Sequence, residues 1–143
     1  MKRIIFILTI IIATLTSCVD NVYINGDLDG MWQLQKVEEK DDTTVIYPQD
    51  IYYSFQRNLT FISRMNETNN PLRYLGNLYY NEEEKTVTIN GLRNFPFESQ
   101  VATLETLKKF MIFNTETVFD IQVLNNDQLI MDYENYRYTL RRW

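Results

Sequence analysis

From residue 28 onward the chain is a succession of short runs in which apolar and polar residues alternate, most of them closed by a polar turn. The runs span 31–38, 51–55, 59–64, 73–80, 86–90, 118–123, 128–133 and 136–142. Polar turns follow at 38–42, 56–58, 66–71, 81–85 and 125–127. Period-two alternation sends successive side chains to opposite faces of a strand. Turns this short join antiparallel neighbours. The pattern predicts an all-β, up-and-down antiparallel meander of eight strands. An open meander leaves two edges that template aggregation, and closure into a barrel removes both. Eight strands enclose an interior that side chains fill or that holds one small ligand. Periodicity alone fits an open or sandwich arrangement as well.

One stretch breaks the rhythm. Pro96 excludes a central strand near 94–97, because proline donates nothing to a ladder. Residues 103–110 fit a short helix before the last three strands, with Leu104, Leu107 and Met111 at helical spacing and Thr103 as its cap. A strand carrying Phe110 and Ile112 is expected to follow it. Gly76, inside the fourth run, marks a bulge or bend.

Alternation also predicts which side chains line the interior. On the first strand Trp32, Leu34 and Lys36 share a face, and on the last Tyr136, Tyr138, Leu140 and Arg142 do. The interior set is Tyr53, Phe55, Phe61, Tyr74, Leu78, Leu129, Met131 and Tyr138. In a closed meander with an even strand count, the first and last strands are antiparallel neighbours. Trp32 and Arg142 are then expected to meet at one end, where an indole under a guanidinium contributes about 0.5–2 kcal/mol.

The stretch Gly30-Met31-Trp32 opening the first strand, with Arg142 on the last, resembles the Gly-x-Trp signature and terminal arginine of lipocalins and the broader calycin group. The resemblance spans 28–143 in topology and is strongest to the lipocalin-like domains of small bacterial lipoproteins. It implies an eight-stranded barrel closed by Gly30, Trp32 and Arg142, with a cavity open at the other end for a small apolar ligand. The disulfides common in secreted animal lipocalins have no counterpart, since Cys18 is the only cysteine.

The chain begins with Lys2 and Arg3, then an uncharged segment of about 14 residues ending at Ser17. A spanning helix needs about 20. Leu15-Thr16-Ser17-Cys18 resembles the lipobox of bacterial lipoproteins. That resemblance implies cleavage of a signal peptide at 1–17, lipidation of Cys18, a tether over 18–27 and attachment to the cell envelope, with the outer membrane as the expected destination. Residues 28–143 form the barrel domain. Removing 1–17 takes two of fourteen basic residues and none of nineteen acidic ones, leaving 126 residues with a charge of −7. So acidic a chain argues against nucleic acid as a partner.

There is no histidine. Ser-His-Asp and Cys-His nucleophiles and imidazole metal sites are therefore excluded. Glu82-Glu83-Glu84 reads as a solvated turn, and Asp120 and Asp132 alternate with apolar neighbours and point outward. No catalytic residue, metal ligand or cofactor is expected. The tyrosine-rich interior suits a ligand with an apolar body and a polar group, Tyr53, Phe55, Phe61, Tyr74, Leu78, Leu129, Met131 and Tyr138 being the candidates. The alternative is a filled barrel serving as a non-enzymatic interaction or structural protein. A protein partner is not identifiable from the sequence.

Overall fold

The structure, a computed structural model, describes residues 24–65, 72–97 and 99–143. The expected signal peptide, Cys18 and most of the tether lie outside the described residues. So does the loop at 66–71.

The strands are β1 (Gly30–Glu39), β2 (Val45–Ile46), β3 (Ile51–Gln56), β4 (Leu59–Arg64), β5 (Arg73–Asn81), β6 (Thr86–Asn94), β7 (Glu116–Leu124), β8 (Gln128–Tyr133) and β9 (Tyr136–Arg142). The helix α1 (Leu104–Lys108) joins β6 to β7. From β3 to β9 each strand pairs antiparallel with the next, β3 pairs with β1, and β9 returns to pair with β1. The eight strands other than β2 thus form the closed meander that the turn rhythm predicted. The short β2 is an addition: it lies beside the far end of β1 through Val37 opposite Ile46. Its two residues are too few to alternate legibly.

Two ends follow from the topology. One carries the start of β1, the β3–β4, β5–β6 and β7–β8 turns and the end of β9. The 3-10 turn Gly26–Leu28 crosses it and buries Leu28 completely. This is the closed end. The opposite end, the mouth, carries α1 and the long β6–β7 connection.

The interior is apolar and filled. Trp32, Leu34, Tyr53, Phe55, Ile62, Leu78, Ile89, Phe119, Leu129, Met131, Tyr138 and Leu140 are each at most 1% exposed. Removing this much apolar surface from water is the main force holding the barrel together.

Bulges correct the simple alternation. One sits between Leu34 and Lys36 on β1. Gln35 is the extra residue, so Val37 turns inward and Lys36, expected on the Trp32 face, turns out to pair with Glu38 at 2.8 Å. In a second bulge the extra residue is on β6, where Gly91 and Leu92, between the partners of Asn77 and Leu75, oppose the single Gly76. A Cβ there would stand 2.7 Å from the Asn90 carbonyl oxygen, so only glycine fits this close approach.

The helix is capped by Thr103, whose hydroxyl accepts from the Thr106 amide at 3.3 Å. No strand follows it before β7. Phe110 and Ile112 are buried, but in a turn whose Met111 has φ +60°. That backbone bends the segment down into the barrel and does not extend it along the sheet.

Candidate functional site

The mouth is the end that strands do not seal. A connection crosses it, and three tyrosines meet that connection from below. Tyr53 on β3 and Tyr74 on β5 flank Ile62 of β4 in direct cross-strand register. Tyr138 on β9 lies opposite Met131 of β8. The Tyr53 hydroxyl donates to the Phe110 carbonyl at 2.6 Å, and the Tyr138 hydroxyl donates to the Met111 carbonyl at 2.8 Å. The Tyr74 ring meets Phe110 edge-on at 5.4 Å between centroids. Leu107, Phe110 and Ile112 all sit in the core.

Burial pushes the Tyr53 and Tyr138 hydroxyls far above the ordinary tyrosine value, and Tyr138 is raised further by its tyrosine and Glu134 neighbours. Both therefore stay protonated across the physiological range and act as donors. A buried donor needs an acceptor, and losing one costs about 1–3 kcal/mol. Here main-chain carbonyls of the connection fill that role.

The remaining candidates line the walls below. Phe55 lies 6.4 Å from Tyr53 between ring centroids. Leu78, Leu129 and Met131 are buried on β5 and β8. Phe61 is not among them. It stands opposite Ser54 and Leu75 on the outer face, half-buried against Phe95 at 5.5 Å, while Thr60 and Ile62 point inward. The cavity open at one end, which the family resemblance implied, is occupied here by Phe110 and its neighbours. Sequence reasoning missed Phe110 as an interior residue, although its aromatic character beside Ile112 was a signal of burial.

At the closed end, Trp32 and Arg142 are cross-strand partners, and the guanidinium carbon lies 4.3 Å from the indole centroid. The indole N–H donates to the Leu28 carbonyl at 2.9 Å. Arg142 donates to the carbonyls of Asn126 at 2.6 Å, Asp29 at 2.8 Å and Asp27. Gly30 has φ +136°, and a Cβ there would fall 2.5 Å from the Arg142 Nη1. Glycine leaves room for the guanidinium to reach these carbonyls. A surface cleft of about 650 Å³ lies outside the barrel beside this end, between Ile24–Asp27, Tyr80 and the bulged end of β7.

Outside the mouth rim, Asp132 accepts from Arg137 twice at 2.9 Å and from Lys40 at 3.3 Å. Asp120 is its cross-strand partner and is exposed. Hydrogen bonding by Arg137 holds the Asp132 carboxyl below the usual carboxylate range, against the opposing effect of burial. A carboxyl lowered in the folded state stabilises fully above its unfolded value, and that contribution fades as pH falls through the folded one. Asp132→Asn is expected to cost about 1 kcal/mol at pH 7, the discount reflecting an Arg137 side chain that is 43% exposed. Urea unfolding at pH 7 and at about pH 3 should show the cost shrinking in acid. Equal costs at both would exclude the ion pair as its source. Among the described residues no cluster of acidic side chains is placed to hold a metal ion.

The family described as "Lipocalin-like domain" matches residues 13–143. No curated protein matches the chain. Among solved structures, a lipocalin-like protein from Bacteroides uniformis ATCC 8492 is similar, with a TM-score of 0.65 at 19% identity over 82% of this chain and 100% of that one. An uncharacterized protein from Bacteroides eggerthii DSM 20697 gives a TM-score of 0.63 at 18% identity over 81% of this chain and 99% of that one. At these identities the likeness is one of fold.

Proposed function

The chain belongs to the lipocalin-like domain family, and from that footing we propose that it is an envelope lipoprotein that binds a small hydrophobic or amphipathic molecule at the barrel mouth without acting on it chemically. The observation that carries this reading is the pair of buried tyrosine hydroxyls, Tyr53 and Tyr138, aimed at the one end that strands leave open. Apolar walls with a few convergent donors are the usual make-up of a small-molecule site. The absence of histidine supports binding over catalysis. The lipobox-like run ending at Cys18 supports the envelope location.

A second reading has its own observation. Phe61, Leu75 and Phe95 form an outward apolar group beside the mouth, and on the segment that follows Phe97 is 66% and Val101 61% exposed. Grouped exposed apolar residues mark protein contacts. On this reading the filled barrel is a scaffold for an envelope partner.

Displacement of a fluorescent fatty acid, alongside native mass spectrometry of protein taken from its own envelope, separates the two. Saturable one-to-one probe binding or a co-purifying small molecule is the expected result. No displaceable probe and no co-purifying species would transfer the function to the outer face.

A further inference from the structure

We propose that the connection between β6 and β7 is a built-in substitute for the ligand. In this view Phe110 and the carbonyls of Phe110 and Met111 stand where an incoming aryl or alkyl body and its carboxylate or carbonyl group bind. The inference rests on the ligand-binding reading above and adds to it the ligand's chemistry and the way the site is gated.

The first ground is how the connection is held. Between Ala102 and Asn114 its main-chain hydrogen bonds among the described residues close within the segment: Leu107 to Thr103, Lys109 to Thr106, Phe110 to Leu107, Met111 to Lys108 and Ile112 to Leu107. It is moored to the sheet outside these limits, by the Ala102 amide donating to Leu92 at 2.9 Å and the Thr117 hydroxyl donating to Asn114 at 3.1 Å. Within them, its grip on the walls comes from side chains. Three apolar groups enter the core, Phe113 stacks on Tyr136 at 4.6 Å, Thr106 hydrogen-bonds Tyr74, two tyrosine hydroxyls bond its carbonyls, and Arg64 Nη1 donates to the Lys109 carbonyl at 3.3 Å. The segment can therefore leave as a unit without breaking a strand ladder. One amphipathic molecule can remake the packing of Phe110 and the two tyrosine hydrogen bonds.

The second ground is chemical. The walls offer Tyr53 and Tyr138 as donors, both held protonated by burial, and they meet two consecutive oxygens. Two buried donors on the walls suit ligand oxygens, a carboxylate's or an acyl carbonyl's, and reject an ammonium group. Arg64 at the rim is paired through Nε with Asp50 at 2.6 Å, and its Nη1 adds a further donor beside the tyrosines. Below the oxygens, Phe110 fills a space walled by Tyr74 and other core residues, and its ring sits edge-on to Tyr74. That space takes an aryl ring or a short alkyl chain.

The third ground is the backbone. Met111 holds φ +60°, a left-handed conformation that disfavours side chains other than glycine. Displacement of the segment releases this strain, so the closed form carries a penalty that a ligand removes.

The test uses 3-phenylpropionate and propylbenzene, which share a body and differ in the acceptor. Calorimetry on the purified wild-type protein and on Phe110→Ala should show phenylpropionate binding the variant at least about tenfold more tightly, as a vacated site would, which is about 1.4 kcal/mol. Adding Tyr53→Phe or Tyr138→Phe to Phe110→Ala should erase that gain for phenylpropionate and leave propylbenzene unaffected. In the wild type, saturating phenylpropionate should speed amide hydrogen exchange at Leu107, Phe110 and Ile112. If Phe110→Ala fails to fold, Phe110→Leu and the wild-type exchange experiment carry the test. Equal affinity for the two probes, insensitive to the tyrosines, would mean an artificial hole and would overturn the proposal. A wild type that binds a fatty-acid probe with unchanged exchange at 107–112 would also overturn it, while leaving the ligand-binding reading intact. Failure of every form to bind any probe would remove both.

Discussion

Trp32→Ala is expected to lower the unfolding free energy by about 3–5 kcal/mol, the range for emptying a large buried aromatic site. The upper half of that range applies here because more than one element depends on the indole. Its ring is fully buried, its N–H satisfies the Leu28 carbonyl, and its face carries the Arg142 guanidinium. Arg142 in turn gathers the carbonyls of Asp27, Asp29 and Asn126. Loss of the ring therefore leaves a cavity, an unpaired buried carbonyl and a loosened clamp across the closed end. Trp32→Phe separates these contributions. It keeps most of the apolar volume and the ring under Arg142, and loses the N–H bond, for about 1–3 kcal/mol. Chemical denaturation of the three proteins measures both. A cost for Trp32→Ala of under about 1 kcal/mol would mean that the 3-10 turn and Arg142 close this end without the indole.

The contrast between what sequence gave away and what it hid is instructive at β3 and β4. Strand existence and order were legible because each run alternates and each turn is polar, and both signals act over a few residues. Register was harder. Reading 56–58 as a three-residue turn sets Phe55 opposite Leu59 and sends Phe61 inward. The turn is in fact two residues, Arg57 and Asn58, with Gln56 opposite Leu59 and Arg57 at φ +56°. Phe55 then faces Thr60, and a shift of one residue flips every side chain on β4. The run Thr60-Phe61-Ile62 gave no warning, since apolar residues occupy both faces. The bulge at Gln35 hid the inward turn of Val37 for a similar reason, because an extra residue restarts the alternation. Burial of Phe110 was signalled by its aromatic character and not by its spacing. Helical spacing picks out Leu104, Leu107 and Met111, yet Leu104 is 41% exposed and Phe110 fully buried, because the barrel below fixes which way the connection folds.

These placements bear on how the molecule would sit at a membrane. The described chain begins at Ile24, beside the closed end, and Asn25 is held there by the Asp29 carboxylate and by the Arg57 carbonyl, to which its side chain donates at 2.7 Å. With the anchor proposed at Cys18, six residues before Ile24, the lipid joins the barrel on the side away from the mouth. Six residues reach at most about 20 Å, so the closed end stays near the bilayer and the mouth faces away from it. That orientation would turn the proposed ligand site toward solvent.

Cys18→Ala is accordingly expected to abolish metabolic labelling by a clickable fatty acid and to move the protein out of the membrane fraction. The loss should be close to complete. Each buried methylene of an acyl chain contributes about 0.8 kcal/mol, and stable attachment needs two chains or one chain with a basic patch. A chain cut before Cys18 would carry −7, so its net charge offers anionic headgroups no attraction to replace the missing lipid. Anionic headgroups repel such a surface. Ligand affinity at the mouth should not change, because Tyr53, Tyr138 and Phe110 lie at the far end from Ile24. A wild-type protein that takes up no fatty-acid label would end the lipoprotein reading. A labelled wild type whose Cys18→Ala form still pellets with membranes would show that a second surface, the outward group around Phe61 and Phe95 first among them, holds it there.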